Sequence, residues 1–510
     1  MPNDASIALL VLAVLIAVWF GRQPPNAARV HYSVTRTSAR VSVAVPVQLH
    51  ACPVARLVVG VSMKRTITQL TTQSARFDGG TAYALFEVAS LDAGAQYAFS
   101  VHCANDASSD AAFSAVARGT LRTARAARSL QRVTFAFGSC IWPLPFASLR
   151  PFSFVRGARD SAILPPQSRV AREREPIEID FFVIGGDTSY VDWARSYRSA
   201  YAALWNKVGF RAMAKGVALF TMFDDHEYAN DVENASSLAR WPEAIDAWRL
   251  FLGRTNPSSA GAPAGAARHH DYTIESGAAR VLVLDTFSHR SGLEPTSAAA
   301  RGSAPCSLLG AAQRARMLKW LRESLADATA RALFVVSPLP AGIGHEPLRT
   351  LGIGGLQEFK SYWQCSGDLD ALLDTVADAA AARVAADPAA PSLPPLFLLS
   401  GDVHFSRVIR FDASHVGGTA VHEIIAAPLY NFLTESGSAP LSPATPYDTA
   451  PRGDGSAPAR ETLFDSTFAQ HMAVIDVEPS LVRVQLWSYG LFSNARSLAY
   501  ELEVPTATAA

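Results

Sequence analysis

VALFTMFDDHEYAN, residues Val217 to Asn230, holds the pattern that decides the fold. An apolar run broken only by Thr221 stops on Asp224-Asp225-His226-Glu227. Such a run reads as a short strand buried on both faces. Two adjacent carboxylates at its end repel each other unless cations compensate. One Asp after a strand is a common helix N-cap, but here the ending recurs. IDFFVIGGDTSY ends at Tyr190, PLFLLSGDVHFS at Ser406, and VTFAFGSC at Cys140. Strands that stop at a carboxylate, thiolate or imidazole place a site along one edge of a sheet. Asp187, Asp224, Asp225, Asp402 and His404 offer the donors of a two-cation centre that activates water and clamps a phosphoryl group.

Outward from these segments, ARVLVLDT (to Thr286) and RALFVVSP (to Pro338) are further buried-strand runs. Helical periodicity separates the strands at residues 195–215, 241–252, 311–326 and 368–386. HMAVIDVEPSLVRVQLWS, His471 to Ser488, reads as a hairpin. Residues 28 to about 124 differ. There VHYSV, ARVSVAV, TAYALFEV and QYAFSVHC alternate apolar and polar between turns, which predicts a small antiparallel sandwich. No Trp lies between Cys52 and Cys103, against an antibody-type domain. LDAGAQYAFSV resembles the tyrosine-corner strand of fibronectin type III-like domains. An Arg-rich linker, Arg122 to Arg132, joins the two regions. Stretches rich in Ala, Pro, Gly and Ser near 254–268, 291–305 and 436–459 read as surface loops. His269-His270-Asp271 follows the first of them and reads as part of a solvated loop.

The chain has 510 residues, 49% of them hydrophobic, enough for a large core. Lys+Arg and Asp+Glu are 45 each, so no basic excess exists to neutralise nucleic acid. A small phosphorylated substrate remains compatible with this balance. Ala5 to Phe20 is apolar but for Ser6, just short of a full span, and fits a signal peptide or short anchor. Asp4 precedes it and Arg22 and Arg29 follow, which by charge asymmetry alone would leave the body cytoplasmic. The cysteines point the other way. Cys52 with Cys103 and Cys306 with Cys365 are candidate bridges, leaving Cys140 either as a functional thiolate or as a plain buried cysteine. Two bridges imply an oxidising compartment, so the body is expected outside the cytoplasm, membrane-anchored or secreted. Asn234-Ala235-Ser236 is a weak glycosylation sequon.

GSC (Gly138 to Cys140), GDTSY (Gly186 to Tyr190), YRSAY (Tyr197 to Tyr201), DDHEYAN, LDT (Leu284 to Thr286) and SGDVHFS together resemble the PhoD-type alkaline phosphatases, members of the calcineurin-like metallophosphoesterases. The motif order matches as well, over roughly residues 133–500. The resemblance implies an α/β (α+β) fold of two mixed sheets flanked by helices in four layers, preceded by a small all-β fibronectin/Ig-like domain. In those terms residues 1–22 are the anchor or signal, 28–124 the sandwich and 130–505 the catalytic domain. It implies in-line attack of a metal-activated oxygen on a phosphate mono- or diester, by a monomer, with Fe3+ and Ca2+ as cofactors. Cys140 and Tyr190 would bind iron as thiolate and phenolate. Asp187 and Asp225 would bridge the cations, and Asp402 and His404 would complete the cluster. Asp224 and Asn230 would be further ligands or their supports. His226 would donate a proton or stabilise the transition state.

The chain departs from the family at LDTFSHR, where the family has LDTRxYR: Phe287 replaces the first Arg and His289 the Tyr. Arg290 remains as the candidate phosphate contact. Val191 stands where an acidic residue often follows the metal-binding Tyr. These changes bear on substrate recognition and leave the metal donors in place. They also motivate an alternative, a surface adhesion protein in which the sandwich binds and the phosphatase-like body is degenerate.

Overall fold

The computed structural model describes residues 28–46, 52–61, 69–74, 76–78, 81–105, 114–127, 129, 131–142, 150–157, 175–191, 194, 196–229, 238–258, 270–290, 307–341, 367–429, 460–466, 469–489 and 496–506. Ala5 to Phe20, Asn230, the sequon at Asn234, His269, Cys306 and Cys365 lie outside the described residues. Among those described, no helix is long and apolar enough to cross a membrane.

Eight strands form two four-stranded sheets at the N-terminal end. They are β1 (Arg29–Val34), β2 (Ala39–Pro46), β3 (Val54–Val61), β4 (Gln69–Ser74), β5 (Arg76–Asp78), β6 (Thr81–Val88), β7 (Gln96–Ala104) and β8 (Ser114–Arg122). The sheet orders are β1-β2-β6-β5 and β4-β3-β7-β8, with every pairing antiparallel. This is the expected sandwich. Cys52 and Cys103 form a disulfide inside it. The Tyr97 hydroxyl accepts a hydrogen bond from the Asp92 amide five residues upstream at 2.7 Å, the tie of a tyrosine corner.

The larger region follows with β9 (Val133–Gly138), the small parallel pair β10 (Val155–Gly157) and β11 (Ile177–Ile179), β12 (Phe181–Ile184), α1 (Tyr197–Trp205), α2 (Val208–Ala214), β13 (Ala218–Thr221) and α3 (Trp241–Phe251). Next come β14 (Tyr272–Ser276), β15 (Ala279–Val283), α4 (Gly310–Ala326), β16 (Ala332–Ser337), α5 (Asp368–Ala386), β17 (Leu396–Ser400), β18 (Ser406–Phe411) and β19 (Val421–Ile425). Four strands complete it: β20 (Arg460–Ser466), β21 (Gln470–Val477), β22 (Leu481–Tyr489) and β23 (Arg496–Pro505). Two mixed sheets result, β13-β12-β9-β21-β22-β23 and β14-β15-β16-β17-β19-β18-β20.

The side-chain period of two explains the unbroken apolar runs. Phe135, Val183, Phe220, Phe334 and Phe397 share the core between the two sheets. Their neighbours Ala136, Phe182 and Leu219 pack outward with residues of α1, α2 and α3. Leu333, Leu396 and Leu398 pack outward with residues of α4 and α5. The order is helices, sheet, sheet, helices, as the resemblance implied.

Burial adds detail to the linker and corrects one expectation. Arg125, in the supposed linker, is 1% exposed and holds Asp180 at 3.0 Å, because a buried guanidinium needs a carboxylate partner. His270 and Asp271 are buried rather than solvated, Asp271 being gripped by Arg316 through two hydrogen bonds at 2.6 and 2.9 Å. The polar face of β1 is also buried, since it packs on the catalytic body. His31 Nε2 donates to the Leu252 carbonyl at 3.1 Å, and the Arg29 guanidinium lies 4.2 Å from the Phe251 ring centre.

Burial depresses several histidines, among them three away from the donor cluster, His31 to about 3 and His422 and His471 to about 4. An unfolded imidazole titrates near 6.5. Between these values the unfolded chain binds protons that the native one does not. The contribution of these rings to stability is therefore fully present above about pH 6.5 and falls as pH drops toward 4, by up to roughly 1.4 kcal/mol per pH unit per histidine. Imidazole titration by NMR in the folded chain checks this, since the three rings should stay neutral at about pH 5.5, where an exposed imidazole is mostly protonated. A ring of the three that titrates near 6.5 in the folded chain would contradict its burial.

Candidate metal centre

Cys140, Asp187, Asp224, Asp225, Asp402 and His404 each sit just past the carboxyl end of a parallel strand, the edge at which open α/β sheets bind ligands. Cys140 follows β9, Asp187 follows β12, and Asp224 and Asp225 follow β13. These three strands are parallel neighbours in one sheet. Asp402 and His404 follow β17 of the other sheet. Backbone pairing continues past the strand ends, with Gly185 N donating to Gly138 O at 2.9 Å and Ile141 N to Asp187 O at 2.7 Å. Cys140 and Asp187 are thereby set side by side.

The turns are tight and sterically constrained. Cys140, Asp187 and Asp402 have φ of 60°, 53° and 61°, the left-handed region that side chains disfavour. Gly186, at φ 92°, has to be glycine, since a Cβ there would lie 2.6 Å from Asp224 Cβ. Gly401 is equally constrained, since a Cβ would lie 2.5 Å from Ser139 Cβ.

The side chains converge in three overlapping groups whose donor atoms lie within 4.8 Å of one another: Cys140, Asp187 and His404; Asp187, Asp225 and His226; and Asp187, Asp224, Asp225 and Asp402. Asp187 belongs to all three. Its Oδ2 accepts from Cys140 Sγ and from the Tyr190 hydroxyl, each at 3.5 Å. The Tyr190 hydroxyl is also 3.3 Å from His404 Nε2. Tyr190 is sandwiched between Trp142, with centroids 5.6 Å apart, and His226, at 4.1 Å. Asp187, Asp224 and Cys140 are buried, while Asp402 and His404 are partly exposed and form the open side.

Electrostatics favour cations here. Burial first, then Cys140 and the other aspartates, raises Asp187 well above the usual carboxylate range. Asp224 is raised likewise by burial, then Asp225 and Asp402, with Arg290 pulling the other way. Burial pushes the Cys140 thiol up as well. Asp187 Oδ1 and Asp224 Oδ2 are buried without a hydrogen-bond partner among the described residues. Unpartnered buried carboxylate oxygens beside a thiol, a phenol and an imidazole fit a cation cluster.

A model of the PhoD-like phosphatase family matches residues 189–449, more than half of the chain. The chain belongs to the PhoD-like phosphatase family. It is similar to a solved structure described as that of PhoD, at 15% identity and a TM-score of 0.65, covering 94% of this chain and 90% of that one. It is also similar to the purple acid phosphatase PPD1 from seeds of yellow lupin (Lupinus luteus), at 11% identity and a TM-score of 0.55, covering 94% of this chain and 75% of that one. At these identities the likeness is one of fold. No curated protein matches the chain. This PhoD-like phosphatase is a phosphoric ester hydrolase and acts by metal-dependent hydrolysis of phosphate esters.

Of the candidate residues, the PhoD-like fold brings Cys140, Asp187, Tyr190, Asp224, Asp225, His226, Asp402 and His404 together. Arg290 stands at the side, its guanidinium 4.2 Å from the Phe287 ring centre, and its charge bears on Asp224. Phe287 has joined the core beside Phe223 and Trp241, with centroids 5.7 and 6.4 Å away, so the departure from the family motif is a packing change on that flank.

Sequence reasoning passed over Glu227. Fully buried, it accepts from Thr188 N at 2.6 Å, Thr188 Oγ1 at 2.5 Å, Asp224 N at 2.9 Å and Asp187 N at 3.1 Å. One carboxylate thus ties the Asp187 loop to the Asp224 loop. Burial lifts it to about 7 against the pull of these donors. Its signal was visible as the third residue of a one-turn helix capped by Asp224, a capping-box position.

Proposed function

We propose that Cys140, Asp187, Tyr190, Asp224, Asp225, Asn230, Asp402 and His404 hold a cluster of ferric iron and calcium. The observation that carries this is the split of the donor set around Asp187. Cys140 and His404 converge with it in one group, Tyr190 bonding to both Asp187 and His404, and Asp224, Asp225 and Asp402 converge with it in another. Thiolate, phenolate and imidazole suit a redox-capable transition metal, whereas an all-carboxylate group suits calcium. Bound cations supply Lewis acidity and lower the pKa of coordinated water. Asp187 and Asp225 would be the carboxylates shared between the cations. In the reaction a water oxygen bonds to phosphorus in line as the ester P–O bond breaks, and His226 delivers a proton to the departing oxygen. Arg290 faces the charge of the transferring phosphoryl group. The substrates are phosphate mono- or diesters reached from the Asp402–His404 side.

We place the body outside the cytoplasm, membrane-anchored or secreted through residues 1–22. The Cys52–Cys103 bridge supports this, since such bonds persist in oxidising compartments.

Metal analysis of the purified chain with an Asp225→Asn control tests the reading. The wild type should carry iron and calcium and cleave p-nitrophenyl phosphate or its bis-ester. The variant should lose the second cation and about 10²-fold or more in rate, by analogy with loss of a single charge-stabilising group. The ratio of rates on the two esters assigns mono- or diesterase preference. A wild type that lacks metal and cleaves neither ester would sink the proposal.

A further inference from the structure

We propose that the N-terminal sandwich is a positioning part of the phosphatase site, acting through Asn256 on the loop that carries Asp224 and Asp225. The inference rests on reading those two residues as cation ligands.

β13 lies at the edge of its sheet and pairs only with β12. An edge strand leaves one row of N–H and C=O groups without a strand partner. At Thr221, the last residue of β13, a side chain fills that role. Thr221 N donates to Asn256 Oδ1 at 3.2 Å, and Asn256 Nδ2 donates to Thr221 O at 2.6 Å. A carboxamide carries the donor and acceptor of a peptide group, so Asn256 supplies one rung of a missing strand. The Tyr272 hydroxyl adds a second bond to Thr221 O at 2.8 Å. All three residues are buried. Asp224 comes three residues after this clasp, so the clasp fixes where the ligand loop begins.

What holds Asn256 is the sandwich. The segment from Leu252 to Asn256 includes a single 3-10 turn, Gly253–Thr255, too short to be stable alone. His31 Nε2 donates to Leu252 O at 3.1 Å, Ser33 Oγ donates to Thr255 O, and Arg40 donates to Asn256 O at 2.8 Å. Side chains from β1 and β2 therefore take three carbonyls of one five-residue stretch. The stretch was expected to open a surface loop, yet Leu252 and Thr255 are fully buried and Asn256 is 7% exposed. The path runs from β1 and β2 to Asn256, to Thr221, and on to Asp224 and Asp225. A sandwich built this way is a fixed wall of the catalytic body. An independent adhesion module would present the polar face of β1 to solvent.

The test uses the full chain with Asn256→Ala, Asn256→Asp and Arg40→Ala, and with Asp225→Asn as comparator. Amide hydrogen exchange of residues 218–225 reads the clasp directly, since the Thr221 amide is one of its bonds. Exchange there should rise at least about 10-fold in Asn256→Ala, with β16 unchanged. Calcium affinity and kcat should fall about 10-fold with little change in KM, as for a residue that orients ligands. Asn256→Asp keeps one acceptor but sets a carboxylate against Thr221 O, and should be no better. Arg40→Ala, outside the catalytic body, should move all readouts in the same direction by a smaller factor, and Arg40→Lys should partly restore them. Unchanged exchange at 218–225 in both Asn256→Ala and Arg40→Ala would overturn the proposal. So would raised exchange with calcium affinity and kcat unaltered, which would make the clasp a structural tie only. If Asp225→Asn binds calcium and turns over like the wild type, the metal reading of that loop fails, and the role proposed for Asn256 fails with it.

Discussion

Asp187→Asn should lower kcat/KM on p-nitrophenyl phosphate by at least about 10³-fold, beyond the 10²–10³ that removal of one charge-stabilising donor costs. The reason is geometric. Asp187 belongs to all three donor groups of the site, so its loss weakens both sides of the cluster at once. Asparagine tolerates the left-handed backbone that Asp187 adopts, so the loop keeps its shape. The fold should gain rather than lose. The Asp187 carboxyl is raised above its unfolded value, chiefly by burial. The native chain thus retains its proton longer than the unfolded chain. In chelator, this group's contribution to stability is full below the unfolded value near 3.9 and is lost as pH rises through the native one. An amide has no charge to bury. Thermal midpoints in chelator at pH 8 should therefore be equal or higher for Asp187→Asn, while calorimetric cation binding is lost. A variant that loses activity and stability together would show that Asp187 holds up the fold and is no ligand hub.

The second large effect is expected at Glu227, which touches no substrate. In Glu227→Gln one oxygen of the carboxylate becomes an NH2 group facing backbone N–H donors. Either the Thr188 pair or the Asp187–Asp224 pair of donors loses its acceptor. Leaving buried donors unsatisfied costs about 1–3 kcal/mol each. Supports of this kind change metal affinity or activity by about 10–100-fold when altered. Cation affinity and kcat should fall together by that factor with KM little changed, and Glu227→Asp, too short to reach both loops, should be no milder. Wild-type cation affinity in Glu227→Gln would mean that the carboxylate merely fills space.

The layers and the donor residues were legible in the sequence because both are local. A strand buried on two faces is a continuous apolar run, and Asp187, the Asp224–Asp225 pair and Asp402 each end one. Helices α3, α4 and α5 fall within a residue of their periodic patterns. The supports escaped notice because they are made between distant segments. Glu423 looks out of place in VHEII until β19 is set beside β17, where it accepts from Ser400 Oγ at 2.8 Å and Ala341 N at 2.6 Å. Asn256 sits in a stretch whose composition reads as loop, and only the packing of the sandwich makes it a buried anchor. Phe287 read as a change in the site, whereas its ring joins a cluster with Phe223 and Trp241.

The left-handed backbones of Cys140, Asp187 and Asp402 also set a balance between site and stability. Each such residue costs about 1–3 kcal/mol relative to a relaxed conformation. Glycine at any of the three would relieve that strain, and at the two aspartates it would also remove a charge from the cluster. The fold therefore holds these three side chains at a cost to its own stability, and in chelator a chain with glycine at those positions should melt higher.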